Sequence, residues 1–117
     1  MPDSKLRTLS MDFSVEIIEL VKQLKQAHET VISTQIARSG TSIGANIYEA
    51  QYAQGRKDFI SKLEIALKES NETRYWLELL YRTKYIDENR YKALSAKCSS
   101  IRAMLVASCR TAKESDK

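Results

Sequence analysis

The sequence predicts an all-α fold, an antiparallel up-down-up-down four-helix bundle, and three observations carry that prediction. Apolar residues recur at spacings of three and four along four separate segments, the rhythm of one helix face. Only three Gly and one Pro punctuate 117 residues, so the elements are few and long. The connections between segments are short, which sets successive helices antiparallel, and the stripe spacing suits packing near 20°. A chain of 117 residues buries one moderate core, so residues 1–117 read as a single domain.

The first segment, about residues 8–27, carries Leu9, Phe13, Ile17, Leu20 and Leu24, with Ser10 or Ser14 available to cap its start. The second, about 31–53, aligns Ile32, Ile36, Ser39, Ile43, Ile47 and Ala50, and Gly55 offers a natural stop. The third, about 57–84, repeats Phe59, Leu63, Ala66, Ser70, Thr73, Leu77 and Leu80, with Asp58 favourable at its positive end. The fourth, about 87–112, opens on Asp87 as N-cap. Ile86 and Tyr91 sit around that cap in hydrophobic-staple positions, and the stripe continues through Leu94, Cys98, Ile101, Leu105, Ser108 and Ala112.

Several function classes lack their signatures. The longest uncharged stretch, Ser39 to Tyr48, is far short of the roughly 20 apolar residues of a membrane span. Residues 1–11 contain no apolar run of the kind a secretory leader needs, so the expected compartment is the cytoplasm. Cys98 and Cys109 fall eleven residues apart in one segment, about 16 Å along a helix axis, too far to bridge, and read as small buried hydrophobes. With one histidine, His28, in a loop position, no metal set, cofactor or acid–base constellation is expected, and the chain is read as non-enzymatic.

Two features point outward from the core. Met11, Val15 and Ile18 in the first segment, and Ile65, Trp76 and Leu79 in the third, form surplus apolar positions beside the main stripes. In the fourth segment Ala93, Ala96, Ser100, Ala103 and Ala107 repeat in threes and fours opposite its core stripe. Such a face lets a neighbouring helix approach closely, although alanine also favours exposed helix positions by propensity alone. Together they point to self-association.

Charge gives a second, different expectation. The formal net charge is +4, and no carboxylate occurs between Asn89 and Lys113. Lys92, Lys97 and Arg110 are therefore candidate phosphate contacts for RNA or DNA, the alternative being an ordinary solvated face.

The segment QIARSGTSIGANIYE, residues 35–49, places Gly40 and Gly44 inside a helix, where each costs about 1 kcal/mol relative to alanine. A close helix contact would offset that cost, and Gly44→Ala is then expected to destabilise. Beside the glycines Gln35, Arg38, Ser42, Asn46 and Glu49 share a polar stripe roughly 100° from the core face. It reads either as a recognition surface or as a hydrogen-bonded ladder to a neighbouring helix or subunit, with Glu64 or Glu72 as partners.

The pattern Arg38-Ser39-x-x-Ser42-Ile43-x-Ala45-Asn46-Ile47-x-Glu49 is followed by Lys57-Asp58-Phe59, Leu63-x-Ile65-Ala66-x-Lys68-Glu69, Glu72-Thr73-x-Tyr75-Trp76-Leu77 and Tyr85-Ile86. It resembles the four-helix-bundle proteins encoded within intervening sequences of bacterial 23S ribosomal RNA genes, with Ala50 standing where glycine is usual. The resemblance implies a subunit of a ring-like homopentamer without catalysis. The accessory variability determinant protein of diversity-generating retroelements, a basic partner of a reverse transcriptase and RNA, is similar in architecture. Two functions therefore follow as expectations: an oligomeric nucleic-acid or ribonucleoprotein accessory module, or a structural assembly with no nucleic-acid role.

Overall fold

Each apolar stripe becomes the buried side of one helix. The computed structural model describes residues 4–115. These residues form α1 (Ser4–Gln26), α2 (Val31–Ala50), α3 (Arg56–Arg82) and α4 (Glu88–Glu114), with no strand among them. Phe13, Ile17, Leu20 and Leu24 of α1 pack with Ile36, Ile43 and Ile47 of α2, Leu63, Leu77 and Leu80 of α3, and Leu94, Ile101 and Leu105 of α4 in one core. Leu9 and Phe59 lie at its edge. In α4 the buried stripe passes from Leu105 to Cys109, not to Ser108, because a straight helix drifts off a strict spacing of three and four.

The ends differ from the sequence expectation in physically specific ways. α1 begins at Ser4, four residues early, so Ser10 and Ser14 are interior positions and not caps; the Ser10 hydroxyl donates to the Arg7 carbonyl at 3.0 Å. α1 closes at His28, which adopts φ 63°, while the Glu29 amide donates to Leu24 O at 2.8 Å and the His28 amide to Lys25 O at 3.0 Å. That pair of bonds is a Schellman closure built without glycine. Lys84, at φ 69°, closes α3 in the same way, with Tyr85 N donating to Leu80 O at 2.9 Å.

α2 starts on a carboxylate that the sequence reading overlooked. Glu29, itself buried, accepts from Ser33 N at 2.7 Å and Val31 N at 3.2 Å, satisfying two orphan amides of the first turn. α2 ends at Ala50, three residues before the expected stop. Gly55, at φ 156°, serves the start of α3 and not the end of α2, and its carbonyl accepts from Phe59 N at 3.0 Å. Asp87 does cap α4, its Oδ1 accepting from Arg90 N at 2.8 Å. Tyr91 stacks on Tyr81 with ring centroids 4.7 Å apart.

Among the described residues the helices pack in sequence order, α1 on α2, α2 on α3 and α3 on α4, and α1 closes thinly against α4 without diagonal contact. The particle measures 50 × 22 × 19 Å, elongated along the helices. One buried polar pair crosses the core, where Thr73 Oγ1 donates to Ser39 Oγ at 3.0 Å. Such a pair rewards one register of α2 on α3 over its alternatives.

Candidate interaction surfaces

The two glycines of α2 mark where α1 comes closest. A Cβ on Gly40 would stand 2.9 Å from Ile17 Cγ2, and one on Gly44 would stand 3.1 Å from Ser14 Oγ and 3.4 Å from Ser10 O. Gly40 is thus the tighter position, and at Gly44 the nearest atom is a rotatable hydroxyl. The polar stripe beside them turns mostly towards α3. Arg38 Nη1 pairs with Glu69 Oε2 at 3.0 Å, and Nη2 with Glu72, which also accepts from Trp76 Nε1 at 3.0 Å. Glu64, the other partner considered, pairs instead with Lys113 of α4 at 2.9 Å. Glu49 lies 3.9 Å from Lys62, while the Asn46 amide bonds back to Ser42 O at 2.8 Å within its own helix. The stripe therefore supplies one firm rung and one loose one between helices.

The basic candidates of α4 do not converge. Lys92 pairs with Glu88 at 3.0 Å, one turn away, and Lys97 reaches across to Glu16 of α1 at 2.7 Å. Arg110 is exposed and makes no ion pair among the described residues. A different cationic pair emerges on the α3–α4 side, where Arg74 and Arg102 both exert their charge on Cys98; Arg102 Nε donates to Asn71 Oδ1 at 2.9 Å, and neither has a carboxylate partner among the described residues. Helical phase placed Arg102 beside the core stripe, but Arg74 becomes its neighbour only once α3 and α4 are docked.

The small-residue face of α4 is open, with Ala93, Ala96, Ser100, Ala103 and Ala107 all exposed. Ala96, Ser100 and Ala103 line a groove of ≈ 610 Å³ along the thin α1–α4 seam. A more apolar surface lies on α1 and α2. Met11, Val15, Tyr48 and Tyr52 are 63%, 54%, 59% and 68% exposed, and Ile18 40%. The two tyrosine rings sit 5.4 Å apart, and Met11, Ala45, Tyr48 and Tyr52 border a groove of ≈ 670 Å³ above Gly44. The tyrosines escaped the sequence reading because an outward apolar position carries no periodic signal of its own. In α3, Trp76 and Leu79 pack on the core edge instead of forming a second apolar face, and Ile65 is left exposed.

The titratable groups do not assemble into a reaction centre. Burial pushes the Cys98 thiol up to about 11, the Arg74 and Arg102 charges lowering it only in part, and its Sγ donates to Ser70 O at 3.4 Å. Cys109 is raised by burial first and by the Glu64 carboxylate second. Among the described residues no three His, Cys, Asp or Glu side chains gather where a metal could sit, and no helix is long and apolar enough to cross a membrane.

The sequence pattern of the 23S rRNA-intervening sequence proteins matches residues 3–107. The chain belongs to that family. A crystal structure of a protein of unknown function from the S23 ribosomal protein family of Bacteroides thetaiotaomicron is 50% identical to this intervening-sequence protein. It superposes with a TM-score of 0.91 over 94% of this chain and 99% of the other. None of the curated proteins compared matches. The family assignment rests on nearly the whole bundle, including the α2 glycines and the Arg38 rung, and not on one motif.

Proposed function

We propose that this family member is a non-enzymatic cytoplasmic subunit of a homo-oligomeric assembly, a bundle of antiparallel neighbours that associates into a pentamer. The observation that carries the reading is the exposed apolar face of Met11, Val15, Ile18, Tyr48 and Tyr52, set on a chain whose own core is already filled. Contiguous apolar surface of this kind is covered in a soluble protein by a partner. Contact pairs support the antiparallel order: Arg7 meets Gln51, Gly44 lies against Ser10 and Ser14, and Gly40 against Ile17, so numbers fall along α1 as they rise along α2. The test is sedimentation velocity across a hundredfold dilution. A species several times the 13.4 kDa subunit supports the assembly, and a monomer with intact helical signal rejects it.

A nucleic-acid role is the second reading, favoured by one observation, the unpaired guanidiniums of Arg74 and Arg102. Lys92 and Lys97 contribute less than their sequence suggests, since Glu88 and Glu16 already accompany them. RNA affinity that falls steeply with salt, and falls further in Arg74→Glu/Arg102→Glu, supports this role. Undetectable binding at low salt rejects it.

A further inference from the structure

We propose that the α1–α2 groove is one half of a head-to-tail self-interface, whose occupant is the basic α3–α4 side of a second copy of this chain. This rests on the homo-oligomeric reading above and names the two surfaces that meet. The groove is apolar at its centre, with Met11 and Tyr48 on its two walls and Gly44 between them. Beside it Asp12 and Glu19 project from the outer face of α1; both are exposed, and neither makes an ion pair among the described residues. On the other side of the bundle Arg74, Arg102 and Arg110 likewise lack carboxylate partners among the described residues.

The two halves of the chain differ in charge as these positions do. Residues 1–55 hold five Lys or Arg and six Asp or Glu, whereas residues 56–117 hold fourteen and nine. Groove against groove would set Asp12 and Glu19 opposite their own copies, whereas groove against the α3–α4 side sets bare carboxylates opposite bare guanidiniums. The apolar centre supplies affinity, and the flanking charges select orientation and partner. Because the two surfaces are different, the contact is heterologous, and repetition closes a ring or extends a filament. Arg74, Arg102 and Arg110 then serve the subunit contact.

The experiment measures solution mass by light scattering for five versions of the full chain: wild type, Asp12→Lys/Glu19→Lys, Arg74→Glu/Arg102→Glu/Arg110→Glu, all five exchanges together, and Met11→Glu/Tyr48→Glu. Each partial charge exchange and the groove variant should shift the protein from oligomer to monomer at micromolar concentration, with helical circular dichroism retained. The fivefold exchange should recover the wild-type mass. Wild-type mass in either partial exchange or in the groove variant overturns the inference, as does a folded fivefold variant that stays monomeric. A wild-type monomer removes the homo-oligomeric reading itself, so the two failures are distinguishable.

Discussion

Gly40 faces Ile17 so closely that a methyl group would lie 2.9 Å from Cγ2 of a side chain that is itself fully buried. An isoleucine in a packed core has no free rotamer to retreat into. Gly40→Ala should therefore destabilise by about 1–3 kcal/mol despite the better helix propensity of alanine. Gly44→Ala should cost far less, because the Ser14 hydroxyl turns away and propensity returns about 1 kcal/mol. Urea unfolding midpoints of both variants decide this, and a raised midpoint for Gly40→Ala contradicts the packing.

The closures at His28 and Lys84 hold non-glycine residues at φ 63° and 69°. Glycine reaches that conformation without the Cβ penalty, so His28→Gly and Lys84→Gly should each raise stability by a few tenths to about 1 kcal/mol. Thermal unfolding with a lowered midpoint in both variants would contradict the assigned closure.

Arg38 joins α2 to two α3 carboxylates, one of which, Glu69, has a side chain only 11% exposed. Removing the cation leaves that carboxylate poorly solvated and unpaired. Arg38→Met should cost about 1–3 kcal/mol, below the full cost of breaking a buried pair because the guanidinium is half exposed. Adding Glu69→Gln should recover part of the loss, and additive losses in the double-mutant cycle would show that the pair is not coupled.

Cys98 stays protonated well beyond its usual range, since its folded value near 11 lies above the 9.0 of the free thiol. A raised acid favours the native state while protonated, so its contribution is fully present below pH 9 and is lost as pH rises towards 11. Wild-type stability should fall more steeply across that window than that of Cys98→Ala. At pH 8 the native thiol should label slowly, with roughly one molecule in a thousand as thiolate. Identical pH slopes for the two proteins would contradict the assignment.

The core was legible because Phe13, Ile17, Ile43 and Leu77 obey helical spacing whatever surrounds them, and Asp87 is a local cap that needs no tertiary context. Glu29 was missed because a carboxylate two and four residues ahead of the amides it accepts does not fit the usual Ncap spacing. Lys92 with Glu88 is a one-turn pair readable from spacing, whereas Lys97 with Glu16 spans 81 residues and exists only after docking. The same holds for Arg74 beside Arg102. Close approach at Gly40 and Gly44 was readable from composition, but which was tighter depended on whether isoleucine or serine stood opposite.

The central claim is that the exposed apolar face of α1 and α2 is covered by another copy of the chain. Multi-angle light scattering of the wild-type protein at micromolar concentration tests it most directly. The account predicts five subunits of 13.4 kDa, a particle of about 67 kDa, and a folded 13.4 kDa monomer would contradict it.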